Sequence, residues 1–159
     1  MKIVRGTIDN VDSWTRLRAA LWPDGSVEQH REDVIETFLQ GADRAVAFLS
    51  ESEEGEIVGF AEGSLRNDYV NGCETSPVAF LEGIYVLPSH RKQGIARLLC
   101  DAVGNWGKSQ GCLEFASDAP LENGVSRKFH AALGFAETQR VVFFRKDIED
   151  DAAEINEHS

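Results

Sequence analysis

The chain has 159 residues, 42% of them hydrophobic, and a formal net charge of −11. That length and apolar content suit one α/β domain with a real core and exclude a disordered chain. The acidic balance opposes nucleic acid, whose phosphates such a surface repels, and suits either a cationic small partner or simple solubility.

At the start of the chain, Met1 to Gly6 carries basic residues but no long apolar run of the kind an export signal needs. No later run reaches the length of a membrane helix, so a cytoplasmic chain with no membrane partner is expected. Residues 2–8 read as a first strand. Val11, Trp14, Leu17 and Leu21 fall on one helical stripe, with Asp9 or Asn10 available as a cap. Trp22-Pro23-Asp24-Gly25 breaks that helix. Ser26 followed by Gln29 resembles a capping box for a second helix, which carries Val27, Val34, Ile35, Phe38 and Leu39.

Residues 44–50 and 56–66 read as an antiparallel hairpin over the polar turn 51–55. A long polar loop, 67–77, leads into an apolar strand over 80–86. A helix is expected from about 94 to 109, with Ile95, Leu98, Leu99, Ala102, Val103 and Trp106 on its inner side. Then come a strand over 113–117, a helix over 123–133 stopped by Gly134, and at least one more strand, 140–145. The unit 80–118 is a βαβ crossover, so its two strands should be parallel neighbours, while the earlier strands should be antiparallel. Such a mixed sheet has its cleft outside the carboxyl ends of the parallel pair. A single domain over 1–147 and an acidic tail over 148–159 are expected. The stretch from Glu149 holds five acids and no Lys or Arg, and the rest of the chain remains acidic without it.

Chemistry concentrates in residues 80–96. An apolar strand runs into Pro88, then a basic stretch, then Gly94, which opens a helix. This order can build a pyrophosphate cradle from the N–H groups of Gln93 to Ala96, with Arg91 and Lys92 adding positive charge. Gly94 permits close backbone approach and small Ala96 leaves room. The plainer reading is an ordinary helix start with solvated bases. Glu82 is a lone acid within the apolar strand, and an ionised group there needs a reason: a functional role or an arginine partner. Asp118 ends the neighbouring parallel strand, so both carboxylates can reach one cleft; an Asp before Ala-Pro is also an ordinary turn residue. Cys73, Cys100 and Cys112 are odd in number and lack metal-ligand spacing, so neither a metal site nor a disulfide framework is expected.

Arg91-Lys92-Gln93-Gly94-Ile95-Ala96, following Val86-Leu87-Pro88 and opening a helix, resembles the Q/R-x-x-G-x-G/A motif of the GCN5-related N-acetyltransferases. The order of elements agrees over about residues 2–147. Further segments resemble the aminoglycoside 6′-N-acetyltransferases: Leu21-Trp22-Pro23, Asp68-Tyr69-Val70-Asn71-Gly72, Phe80-Leu81-Glu82-Gly83-Ile84, Ala116-Ser117-Asp118 and Gly134-Phe135-Ala136-Glu137-Thr138.

The resemblance implies a mixed α/β acyltransferase fold: a mostly antiparallel sheet with one parallel pair, flanked by helices, using acetyl-CoA as cosubstrate. Ile84, Tyr85 and Val86 would pair with the pantetheine arm like an added strand, and the Val86 N–H would stabilise the oxyanion. Arg91, Lys92, Gln93, Gly94, Ile95, Ala96 and Arg97 would hold the cofactor, with Asn123 touching its arm or capping a helix. Trp22 and Tyr69 would contact the sugar rings, and Glu82 and Asp118 would serve as base or ammonium anchors. Glu137 and Gln139 fall where relatives place acids, and His130 stands where many relatives carry a proton-donating tyrosine. A homodimer through the last strand, with Val141 to Phe144 at its edge, would also follow. The implied reaction is direct acetyl transfer to the 6′-amine of an aminoglycoside in a ternary complex. A polyamine or peptide amine as acceptor, or a non-catalytic acyl-CoA sensor, are the alternatives.

Overall fold

The computed structural model describes residues 1–41 and 43–148. Five strands lie side by side in chain order: β1 (Lys2–Arg5), β2 (Ala45–Glu51), β3 (Ile57–Arg66), β4 (Val78–Val86) and β5 (Phe115–Ser117). β1 to β4 are antiparallel neighbours, and β4 and β5 are parallel, joined by the crossover helix α3 (Ile95–Ser109). The apolar runs of β2 and β3 are buried on both faces, as strands between two helical layers must be. On one face α1 (Val11–Leu21) and α2 (Val27–Val34) bring Trp14, Leu17 and Val34 against Ala47, Leu49 and Phe60. On the other, Ile95, Leu99 and Val103 of α3 pack on Val58, Ala61 and Leu81.

Local chemistry explains the helix boundaries. Trp22 closes α1, its N–H donating to the Arg18 carbonyl at 2.7 Å. Ser26 Oγ caps α2 by accepting the Gln29 N–H at 3.1 Å. Only half of the expected capping box forms, because the Gln29 side chain turns to Asp33 instead, at 3.1 Å. A π-helical turn, Ile35–Leu39, continues α2. Asn10 accepts the Thr7 N–H at 2.8 Å within a short 3₁₀ turn, Ile8–Asn10, and makes no side-chain cap to α1.

Three expectations are corrected. The first strand stops at Arg5, where the 3₁₀ turn follows. The strand expected over 113–117 begins only at Phe115, and Leu113 stands 83% exposed. The strand expected over 140–145 is not formed: α4 (Gly124–Ala132) is followed by irregular chain to residue 148. Val142, Phe143 and Phe144 are 70%, 89% and 93% exposed. A strand exists only by pairing, and β5 offers a ladder of three residues as the neighbouring edge. The acidic tail from residue 149 onward lies outside the described residues.

The feature that shapes the site is a β-bulge. Gly83 pairs with Glu62 and Leu81 with Gly63, so Glu82 is an extra residue on β4 with no partner on β3. The parallel pairing with β5 also ends at Leu81, opposite Ser117. From Glu82 onward the two strands part.

The α3 layer sits close to the sheet where glycines allow it. A Cβ on Gly107 would fall on the Ala79 methyl. In an exposed helix, Gly→Ala adds about 0.5–1 kcal/mol of stability. Here Gly107→Ala should instead destabilise by about 1–3 kcal/mol, the cost of overpacking, measured by urea unfolding. A gain in stability would disprove this contact.

Candidate functional site

The cradle forms where β4 ends. After a 3₁₀ turn over Pro88–His90, Lys92 and Gly94 both take the left-handed conformation, at φ 63° and 81°. Alternation into that region turns successive N–H groups toward one point. Among the described residues, no hydrogen bond is donated by the backbone N–H groups from Lys92 to Arg97. No atom lies within 4 Å of a Cβ built on Gly94, so the space above the loop is open. A bare N–H nest at a helix N-terminus fits a diphosphate, and Gln93 to Ala96 would hold that part of acetyl-CoA. Both arginines expected at the cofactor site make contacts within the protein. Arg91 folds back, its Nε donating to the Val86 carbonyl at 2.8 Å and its Cζ lying 5.3 Å from the Tyr85 ring centroid. Arg97 donates to the Ala132 carbonyl at 2.5 Å and ties α3 to the end of α4.

The free edge of β4 faces this loop. The Leu87 N–H points to β3, donating to the Val58 carbonyl at 2.8 Å. Backbone polarity alternates along a strand, so Val86 and Ile84 direct their N–H and C=O groups to the opposite side, where β5 has parted. The Val86 carbonyl is taken by Arg91, and its N–H is left facing the gap. Near the point of divergence, Ser117 Oγ lies 2.8 Å from His130 Nε2 and 3.2 Å from the Leu81 carbonyl. His130 Nδ1 donates to the Ser126 carbonyl at 2.7 Å. Both ring nitrogens are therefore engaged, and the ring packs against Phe129 and Phe135. Asn123 caps α4, accepting the Ser126 N–H at 2.9 Å.

On the opposite side of β4, Glu82 opens toward a cavity of about 420 Å³ whose wall includes Arg18, Trp22, Asp33, Glu62 and Ser64. Glu82 accepts from Ser64 Oγ at 2.5 Å and from Arg66 Nη2 at 3.0 and 3.1 Å. Arg66 is itself held over the Phe80 ring, 3.6 Å from its centroid. The acid in the apolar strand thus has an arginine partner and also faces the cavity. Trp22 lies against β4: a Cβ on Gly83 would be 2.5 Å from its indole.

Tyr69 and Asp118 do not line this cavity. Tyr69 stands 76% exposed on the 67–77 loop, and Asp118 is exposed just beyond β5. Glu137 pairs with Arg140, whose guanidinium holds the carboxyl below the usual range. Gln139 is exposed. Between them, Thr138 is packed on Gly72, which joins this segment to the Tyr69 loop.

Sequence reasoning missed a buried polar cluster behind Trp22. Glu62 is 2% exposed on β3; it accepts from Trp14 Nε1 at 2.8 Å and forms an ion pair with Arg18. Burial pushes its carboxyl up, against the downward pull of Arg18. Arg18 Nε donates to His30 Nδ1 at 3.3 Å. A signal existed: Glu62 is a lone acid in an apolar strand, as Glu82 is. Arg18 follows Trp14 by four residues, on the apolar stripe of α1.

The 67–77 loop is latched from outside by Glu114. Its Oε1 accepts the N–H groups of Glu74 and Thr75 at 2.9 and 2.7 Å and the Thr75 hydroxyl at 2.5 Å. The Thr75 hydroxyl, followed by those two N–H groups, holds the carboxyl below the usual range. A depressed folded pKa means the latch is complete above the ordinary carboxylate pKa and is lost as pH falls through the lower, folded value. Amide exchange of Glu74 and Thr75 should therefore stay slow, relative to Glu114→Gln, until pH drops below the ordinary glutamate range. Equal exchange in both proteins at neutral pH would remove the latch.

The chain resembles known proteins over nearly all its length. The family model described as the Acetyltransferase (GNAT) family matches residues 14–135. An aminoglycoside N(6′)-acetyltransferase type 1 from Serratia marcescens is 53% identical over 140 residues, covering 88% of this chain and 94% of that protein. Its namesake from Salmonella typhimurium is 50% identical, covering 86% and 92%. Among solved structures, AAC(6′)-Iy in complex with the bisubstrate analog CoA-S-monomethyl-acetylneamine superposes with a TM-score of 0.86 at 47% identity, covering 92% of this chain and 98% of that one. AAC(6′)-IG from Acinetobacter haemolyticus gives 0.87 at 42% identity, covering 94% and 100%. With the N–H nest, the parted parallel pair and these matches together, the chain belongs to the GNAT family of acetyltransferases.

Proposed function

We propose that this chain transfers the acetyl group of acetyl-CoA to the 6′-amine of aminoglycosides, by direct attack in a ternary complex, and so confers resistance to them. The observation that carries the reading is the bulge in β4. One strand turns Glu82 toward an acidic, tryptophan-walled cavity and leaves 84–86 as an open edge beside the N–H nest. The names of the relatives supply the acceptor.

Acetyl-CoA would supply the thioester: the amine lone pair forms the C–N bond, the C–S bond then breaks, CoA leaves as the thiolate, and the second amine proton passes to that thiolate or to water. The Val86 N–H faces the gap where the carbonyl oxygen gains charge, and such donors contribute about 2.7–4 kcal/mol in other enzymes. Glu82 takes the ammonium proton, directly or through water, or anchors the ammonium beside it. Arg66 and Ser64 fix the carboxylate; among the described residues Oε2 accepts from Arg66 alone and keeps capacity to accept a further proton or hydrogen bond. Trp22 offers an indole to a sugar ring or ammonium, and Tyr69, Asp118, Glu137 and Gln139 extend the acceptor side. The net charge of −11 steers a polycation inward, and salt weakens that steering.

The reading also carries a cytoplasmic location, one catalytic domain over 1–147 and a homodimer. No helix among the described residues is long and apolar enough to cross a membrane. The dimer is supported by the exposed Val142, Phe143 and Phe144, an apolar run that needs cover. Light scattering should give twice the chain mass, and Phe143→Glu with Phe144→Glu should give a monomer; a monomeric wild type would overturn this.

The function is tested with a panel of aminoglycosides and polyamines, reading product mass and site of acetylation. Glu82→Gln should lower kcat by roughly 10²-fold, the scale of general-base catalysis, with the KM for acetyl-CoA unchanged. Unaltered kcat would remove Glu82 from the chemistry, and products from polyamines alone would replace the acceptor.

A further inference from the structure

We infer that His30, which touches none of the reacting groups, is a positioning residue for the acceptor: it fixes the Trp22 wall of the cavity through two hydrogen bonds of one tautomer. The inference rests on the acceptor reading above for the identity of the amine, and on geometry for the rest.

His30 is 5% exposed, in the second turn of α2. Its Nδ1 lies 3.3 Å from Arg18 Nε, and Nε2 lies 2.9 Å from the Trp22 carbonyl oxygen. The Arg18 Nε–H only donates and the Trp22 carbonyl only accepts. Nδ1 must therefore present its lone pair and Nε2 must carry the proton. The neutral Nε2–H tautomer satisfies both partners, and the Nδ1–H tautomer satisfies neither.

These two bonds join three parts of the fold at one residue. The Trp22 carbonyl belongs to the turn between α1 and α2, and no secondary-structure ladder holds that turn. Arg18 reaches from α1 to Glu62 on β3 and lies with Cζ 4.9 Å from the Trp22 ring centroid. Its Nη2 is 3.9 Å from Asp33 on α2. The His30 ring lies roughly parallel to the indole, centroids 6.4 Å apart and planes at 26°. Main chain and side chain of Trp22 are thus both referenced to His30, while the cofactor cradle lies across β4 with α3. Loss of the His30 bonds should loosen the acceptor wall and leave the cradle as it is.

The test compares His30→Leu, which deletes both bonds, with His30→Gln, whose amide offers one donor and one acceptor. His30→Leu should raise the KM for kanamycin about tenfold, the scale of a lost buried hydrogen bond, with the KM for acetyl-CoA within about twofold of wild type. His30→Gln should recover most of that loss. Equal changes in both KM values, no change in either, or a His30→Gln variant as impaired as His30→Leu would overturn the inference. Imidazole ¹⁵N shifts of the wild-type chain give a reading that needs no variant to fold: an Nε2–H neutral ring supports it, and an Nδ1–H ring refutes it. If the panel identifies another amine as the acceptor, the same KM pair is read with that amine, so a wrong substrate and a wrong role for His30 give different results.

Discussion

The parting of β4 from β5 is the constraint on which the rest of the molecule depends. A parallel pair held over three residues and then released leaves a sheet with an unfilled slot inside its own plane. Some backbone groups beside such a slot, the Val86 N–H among them, are left for water or a ligand to satisfy, while Arg91 takes the Val86 carbonyl. The bulge at Glu82 falls at the same place, one residue past the last parallel pair. An extra residue on β4 kinks the strand locally and re-aims one side chain, just where the parallel ladder stops. The open edge at 84–86 and the placement of the Glu82 side chain thus meet at a single irregularity.

The buried ion pair of Arg18 and Glu62 needs a different account. Taking two charges out of water costs several kcal/mol per ion, and their mutual attraction recovers this only with full hydrogen bonding. Here the bonding is nearly complete: Glu62 also accepts from Trp14, and Arg18 also donates to His30. Such a pair contributes little net stability compared with apolar packing. Its effect is geometric, because these partners of Arg18 lie on two other elements, β3 for Glu62 and α2 for His30 and Asp33. The angle and position of α1 on the sheet follow from those fixed points.

Most of the fold was legible because its signals are local and periodic. The α1 stripe, the α3 stripe apart from Leu98, which stands 46% exposed instead of facing inward, the Ser26 cap, the β2–β3 hairpin and the crossover leading to β5 all follow from residues close in sequence. The cradle was legible for the same reason: one strand end, one glycine and one helix start are contiguous. The failures are non-local. A strand over 140–145 has the right residues, yet pairing is a property of the edge it meets, and β5 is too short to receive it. Glu82 stood out as a misplaced acid, but its partners Ser64 and Arg66 lie on another strand and depend on a bulge that composition does not encode. The Arg18–His30–Glu62 cluster joins residues up to 44 positions apart, so no spacing rule could assemble it. Tyr69 and Asp118 do not line the cavity that holds Trp22 and Glu82, and their part on the acceptor side belongs to the proposal.

Gly83 has a consequence for the thermodynamics of recognition. With no side chain there, the Trp22 indole lies directly on the main chain of β4 and is boxed in by Leu21, Phe60, Arg18 and His30. An exposed aromatic gives up rotamer freedom when a ligand stacks on it, at about 0.5–1.5 kcal/mol for each immobilised side chain. Trp22 has given up that freedom during folding. A rigid wall of this kind is preorganised: were a ring to stack on it, it would favour one that matches its plane and could not adapt to one that does not. Selectivity among acceptors of similar charge would then arise from shape at one glycine-backed indole, a contribution that salt does not screen.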